Sequence, residues 1–343
     1  MPPKKSSMLP RKATLRDVGL LAKVDPSLVS RVLNNDPNAT ASPATKLRIF
    51  SAAKKLNYTP NFSARNLKMA KTLTIGLLLP DLTNPINDLV AHGVQERAAE
   101  LGYGLIIANH SDIGGDRTMS RMLTQGHVDG IIAFVHSIND SLMESLSKNS
   151  NNRILPMNGK IKGIESSVSL DDPKAAEMCV KHLADLGHKK IVGIFGSTSN
   201  DSPRRRVIGF KKGCAKYNIK PNIVFTQGYS SYDGYLATLE AITKYSPTAI
   251  FPSSNSYALG TYRALYEKKF RIPEDVSVIT LHNSALTEFL SPPLTTVMLP
   301  AEEMGKVSAE KLIGMLNGKK IKHLIVVGKP SLIFRGSTAR LNS

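Results

Sequence analysis

The chain has 343 residues, of which 41% are hydrophobic and 21% charged, with a formal net charge of +18. That length is about twice the ~150 residues of one domain, and the ordinary globular composition excludes collagen-like and wholly disordered chains. Two cysteines, Cys179 and Cys214, form no ligand cluster, and no apolar run approaches the ~18 residues of a membrane span, so no disulfide scaffold, zinc, membrane partner or cofactor is expected. Met1 to Pro10 carries no signal-peptide core, which leads us to expect a cytoplasmic protein.

Charge is unevenly placed. Residues 1–71 hold fourteen Lys and Arg against three acids, Asp17, Asp25 and Asp36, whereas the other 272 residues carry 31 basic and 24 acidic side chains. A basic head on a milder body points to a polyanionic partner. Within the head, Thr14 can cap a helix with Asp17 as its third residue, and Leu15, Val18, Leu21 and Ala22 recur at helical spacing. Asp25 is a second N-cap, with Pro26 in the first helical position. A third helical pattern covers Pro43 to Leu56, with Ala44, Leu47, Ile49, Phe50, Ala53 and Leu56 available for its inner face. The three make a helix-turn-helix bundle whose second helix enters the major groove. Pro26, Ser27 and Arg31 would then face base edges, Ser30 and Asn34 would reach phosphate, and Thr14 would lie at the same DNA surface.

These residues match a family pattern. Thr14-Leu15-Arg16-Asp17-Val18, Val29-Ser30-Arg31-Val32-Leu33-Asn34 and Leu56-Asn57-Tyr58-Thr59-Pro60-Asn61 resemble the DNA-binding head of the lactose-repressor family of bacterial transcription regulators. Lys23 stands where that family usually has glycine and Asp25 where it has serine, and the loop from Asp36 to Ser42 looks lengthened. The resemblance implies a hinge helix in the next segment, pairing with its dimer mate in the minor groove. Leu67 would be the wedge between base pairs, Arg65 and Lys68 would neutralise phosphate, and small Ala64 would let two hinges approach.

From Thr72 the pattern changes to apolar runs beginning near Leu73, Tyr103, Gly130, Ile154, Lys190, Ile223, Ala249, Val276 and Leu294. Most are separated by helical stretches such as Ile86 to Leu101, Pro173 to Leu186, Arg204 to Tyr217, Tyr232 to Lys244 and Ala258 to Lys268. Repeated βα units imply parallel sheets, and nine strands imply two lobes. The expected fold class is α/β: a helix-turn-helix head and hinge helix joined to a two-lobed, periplasmic-binding-protein-like core. We divide the chain into a basic tail (1–12), a helix-turn-helix domain (13–60), a hinge helix (61–71) and an effector-binding, dimerising core (72–343). Val128-Asp129-Gly130-Ile131-Ile132, Ile272-Pro273-Glu274-Asp275-Val276 and Phe334-Arg335-Gly336-Ser337 extend the same resemblance to the end of the chain.

Ligands of such folds bind at the carboxyl ends of strands, in the cleft between lobes. The candidates there are Asn84, Ile86, Asp112, Asn158, Arg206, Ser230, Asn255 and His282. By family position Arg206 is the guanidinium that clamps ligand oxygens, with Arg204 and Arg205 read as solvated neighbours. His282 replaces a usual aspartate, which lowers the cost of an anion and resembles the gluconate-sensing branch. No phosphate-loop, dinucleotide, zinc-protease or serine-hydrolase motif occurs, so an enzyme is not expected. Asp171-Asp172 reads as a helix cap at a lobe crossing. The expected function is an operator-binding regulator, homodimeric or a dimer of dimers, controlled by a sugar-like effector such as gluconate. The alternatives are a neutral sugar or nucleoside as effector, or a stand-alone sugar-binding protein.

Overall fold

The computed structural model describes residues 13–34, 36, 38–58, 71–80, 84–109, 121–135, 153–161, 164, 166–319, 321 and 324–341. The chain divides into two compact units, Met1–Lys71 and Thr72–Ser343. The expected hinge helix, with Ala64, Arg65, Leu67 and Lys68, lies outside the described residues.

Among the described residues the first unit holds three helices, α1 (Leu15–Ala22), α2 (Pro26–Leu33) and α3 (Pro43–Lys55). Each begins at a side chain that accepts from an otherwise unpaired first-turn amide. Thr14 and Asp17 form a reciprocal capping box on α1, Asp25 Oδ1 accepts from Ser27 N at 2.7 Å, and Ser42 Oγ accepts from Thr45 N at 3.2 Å. Lys23 ends α1 in the left-handed region at φ 55°, the conformation for which a glycine is the strain-free residue. Val18, Ala22, Val29, Val32, Ile49, Ala52 and Ala53 form the core. The inner face of α3 differs from the expected one: Leu47 and Phe50 are 69% and 47% exposed, as Leu21 of α1 is 44% exposed. Ile49 with Ala52 and Ala53 brings small side chains to the crossing, which rolls the larger pair outward.

Among the described residues the second unit contains two six-stranded sheets. In the first, β1 (Thr74–Leu79), β2 (Gly104–Asn109), β3 (Gly130–Phe134), β4 (Ile154–Met157), β5 (Ser167–Leu170) and β11 (Leu324–Val327) run parallel in the order β11-β5-β4-β3-β1-β2. The second comprises β6 (Ile191–Phe195), β7 (Asn222–Phe225), β8 (Ala249–Pro252), β9 (Ser277–Leu281), β10 (Thr295–Met298) and β12 (Ser331–Ile333). Its order is β12-β10-β9-β8-β6-β7, with β12 antiparallel to β10. All nine expected strands are present. The sequence reading missed β5, β11 and β12, which are short, and the antiparallel edge follows because β12 comes straight after β11 with no helix between them.

Helices cover both sheets. In the first lobe α4 (Pro85–Glu100) packs on α10 (Ala301–Leu316); in the second α5 (Asp172–Asp185) packs on α6 (Asp201–Lys216), and α7 (Ser231–Tyr245) on α8 (Asn255–Glu267), with a single turn, α9 (Ala285–Glu288), after β9. The α4–α10 pair meets backbone to backbone at Gly93, where a Cβ would lie 2.0 Å from Glu302 O. The chain passes between lobes three times among the described residues: after β5, after β10 and between β11 and β12. Both sheets turn their carboxyl ends toward that junction, and β1 and β6 are each flanked by strands on both sides, the topological switch points where such sheets bind ligands.

Candidate functional site

In the head, α2 presents Ser27, Arg31 and Asn34 to solvent, with Pro26 and Ser30 half-buried and Thr14 exposed at the start of α1. Hydrogen bonds from Ser27 hold the Asp25 carboxyl below its ordinary range, so it is charged at neutral pH beside the N-terminus of α2. Asn34 Nδ2 donates to Ser30 O at 2.6 Å, which commits one amide proton to ending the helix.

The cleft of the core is a cavity of about 80 Å³, bordered by residues that follow the strands of both lobes. Pro80, Asn84, Ile86 and Asn87 follow β1, Phe134 ends β3 and Asn158 follows β4; Ser202 and Arg206 come from α6, and Ser254, Asn255 and His282 follow β8 and β9. Asn84, Ile86, Asn158, Arg206, Asn255 and His282 are thus brought together as expected from the sequence. Ser230 is not: it is exposed and caps α7 with Asp233, while its neighbour Tyr229 lines the cleft. Asp112 lies outside the described residues.

Arg206 is held within the second lobe. Its Nε donates to Asp172 Oδ1 (2.7 Å), Nη1 to Ser253 O (2.9 Å) and Nη2 to His282 Nε2 (3.0 Å), which leaves two of its five N–H groups over. Asp172, the first residue of α5, is fully buried and shared with Arg205, whose Nη2 lies 2.9 Å from Oδ2 in an ion pair. Burial pushes the Asp172 carboxyl up, but the Arg206 and Arg205 charges outweigh it and hold the group below the ordinary carboxylate range. Arg205 is therefore not the solvated neighbour expected: its side chain is 17% exposed, because α6 turns it toward the lobe junction. The tandem Asp171-Asp172 divides its work accordingly. Asp171 caps α5 through Lys174 N, and Asp172 pairs with both guanidinium groups.

His282 sits in the left-handed region, φ 69°, with its N–H bonded to Val297 O. Burial, and then the Arg206 charge, lower its imidazole to about 3 against the opposing pull of Asp172, so it is neutral at physiological pH. A guanidinium can only donate, so Nε2 is the acceptor and the ring proton lies on Nδ1. That Nδ1 is buried with no partner among the described residues. Asn255 supports the loop: in the orientation that satisfies its amide, Nδ2 donates to Leu281 O and His282 O while Oδ1 accepts from Ser284.

Elsewhere His92, Glu96 and Glu302 offer ligand atoms within 4.8 Å of one another, but Lys306 Nζ already pairs with Glu96 at 3.0 Å and Glu302 at 2.9 Å. Among the described residues no helix is long and apolar enough to cross a membrane.

Comparison with known proteins agrees with this fold. Residues 14–61 match the bacterial regulatory proteins of the lacI family, and residues 180–338 match the periplasmic binding protein-like domain. Repressors named HTH-type transcriptional repressor PurR align along their full length: that of Photobacterium profundum is 31% identical over 335 residues, 96% of this chain, and that of Vibrio vulnificus 32% over the same span. The chain belongs to the lacI family of bacterial regulatory proteins. The lac repressor dimer bound to operator and the anti-inducer ONPF superposes with a TM-score of 0.83 at 26% identity, covering 96% of this chain and all of that one. This lacI-family chain is thus a DNA-binding transcriptional repressor with a small-molecule effector, and not an enzyme. The candidate residues chosen from the sequence did not include Ser202, Phe134 and Tyr229, which line the cleft, or Asp172 and Arg205 behind it; the acid doublet before Pro173 and the run Tyr229-Ser230-Ser231-Tyr232 were the signals in the sequence.

Proposed function

We propose that the effector is a sugar acid of the gluconate type, held in the cleft by a lining that offers donors and no carboxylate. Among the described lining residues there is no Asp or Glu. Asn84 Oδ1 is taken by Ile86 N and Asn158 Oδ1 by Arg205 Nη2, so both amides turn their NH2 ends to other partners. With the two remaining Arg206 protons and the buried His282 Nδ1–H, these groups suit a ligand rich in acceptors. Ile86, Phe134, Leu170 and Met304 supply apolar walls against which a carbon chain or ring can pack.

Calorimetry with gluconate and glucose tests this reading. Wild type should bind gluconate more tightly, and His282→Asp, which places a carboxylate beside the ligand, should weaken gluconate more than glucose. Tighter binding of glucose by wild type, or equal weakening of both ligands, refutes the assignment. A neutral sugar is the second reading, favoured by the pairing of Arg206 with Asp172, which already balances that charge. A lacI-family regulator from Enterococcus faecium with bound ribose, 29% identical and covering 78% of this chain, is a precedent of that kind.

On the DNA side, residues 13–60 read the major groove through α2 and residues 61–71 form the hinge, in a homodimer like that of the lac repressor. The protein acts in the cytoplasm. Ligand bridging both lobes changes their angle and so the spacing of the two hinges. Leu67→Ala should abolish DNA bending and most specific affinity while effector binding persists, which a gel-phasing assay reads directly.

A further inference from the structure

Arg205 and Arg206 are consecutive on α6 and share one buried carboxylate, yet they direct their donors into different lobes. The hydrogen-bond partners of Arg206 among the described residues all belong to the second lobe: Asp172, Ser253 and His282. Those of Arg205 do not. Its Nη1 donates to Leu170 O at 2.8 Å, at the end of β5, and its Nη2 to Asn158 Oδ1 at 2.7 Å, just beyond β4. Both acceptors are in the first lobe, while ion pairs to Asp172 (2.9 Å) and Asp201 (3.0 Å) tie the same guanidinium to the second. Every one of these bonds joins protein groups, and a planar fork can make them together where a lysine could not.

We propose that Arg205 is an interlobe clasp, a positioning residue that sets the resting angle between the lobes and aims the Asn158 amide donors into the cleft. Asp172 links it to the ligand. An acceptor that draws on Arg206 changes the share of the carboxylate left for Arg205, so occupancy of the cleft and tightness of the clasp are coupled through one buried group. The clasp itself requires no particular effector, and it stands whether the ligand is an acid or a neutral sugar.

Two substitutions push the clasp in opposite directions. Arg205→Leu removes it, whereas Asn158→Asp gives the guanidinium a charged acceptor and tightens it. The measurement uses the full-length protein with no ligand added and an operator duplex selected in vitro from random sequence. Operator affinity should move by at least about fivefold in opposite senses for the two variants. Hydrogen exchange over residues 153–161 and 166–171 should quicken in the first and slow in the second, with α7 and α8 unchanged. Arg205→Lys should behave like Arg205→Leu, because charge without the fork does not span the junction. Affinities that stay within about twofold of wild type, or that move in the same sense for both variants, overturn the clasp. So does exchange that rises evenly over both lobes in Arg205→Leu, the signature of a residue needed only for stability. Failure of gluconate to bind leaves these readouts untouched and bears only on the effector assignment.

Discussion

The head and the cleft are built over different distances along the chain. In the head the capping bonds join residues two or three apart: Asp25 with Ser27, Thr14 with Asp17, Ser42 with Thr45. In the cleft the bonds of Arg206 span 34, 47 and 76 residues to Asp172, Ser253 and His282. The head can therefore set its reading surface from local sequence. The cleft gains its chemistry only when two sheets have assembled and their loops have met. Damage to one should leave the other's intrinsic property intact, and each of the following experiments tries that separation.

The largest effect should come from Asp172→Ala. It takes away the buried carboxylate that pairs with Arg206 and leaves Arg205 only Asp201, a loss of about 3–5 kcal/mol for a broken buried pair. Denaturant titration should show the core destabilised by that order while salt-dependent, nonspecific DNA binding by the basic head persists. Equal loss of both would show that the units are not independent. Arg206→Ala is next. Asp172 keeps Arg205, so folding suffers less, but charge-assisted bonds of about 1.5–3 kcal/mol are lost to the effector. Gluconate affinity should fall at least about tenfold by calorimetry, with salt-dependent, nonspecific DNA binding by the basic head unchanged.

Acidification should separate the units in another way, because all eight histidines lie beyond residue 71. Burial lowers His182 and His188 as it lowers His282, which falls to about 3. A histidine depressed in the folded state contributes stability above its ordinary value near 6.5 and loses it as the pH falls from there toward the folded value. Core stability should start to drop below about pH 6.5, while the helical signal of the isolated head stays flat until the pH falls below the ordinary range of its Asp25 capping carboxyl, about 4. Effector affinity should be constant between about pH 6.5 and about pH 8, since the His282 imidazole is neutral throughout. A step in affinity near its ordinary value would mean that His282 titrates and that its buried neutral state is wrong. The smallest effect belongs to Ser42→Ala, which should cost about 1 kcal/mol of head stability through the α3 cap and leave calorimetric effector binding alone.

The same contrast explains what was legible in the sequence. The three head helices, their caps and the nine expected strands follow from spacings of a few residues, and the family motifs carried Arg206 and His282 to the cleft. What escaped needed distant partners. Arg204, Arg205 and Arg206 are alike in sequence, and only the rotation of α6 against the lobe junction sends one to solvent, one across to Asn158 and one toward His282. Asp172 is indistinguishable from its capping neighbour Asp171 until α6 lies beside it. β5 reads Ser-Val-Ser-Leu, too short and polar to register as a buried strand, although all four residues are buried. On α3, apolar residues stand on two faces, and the choice between them rests on the size of side chain that the crossing admits.

The contact at Gly93 gives the molecule an adjustment point well away from its ligand. The carbonyl of Glu302 lies where a methyl group at residue 93 would have to go, and α10 starts only two residues beyond the end of β9's neighbour β10 and its connection at Leu299 and Pro300. A methyl there acts as a shim under one end of α10, next to the second passage between lobes. Tilting that passage turns one half of the clamp against the other while every atom that faces the ligand keeps its chemistry. Operator control in this repressor is thus exposed to retuning by substitutions that an inspection of the effector site alone would pass over.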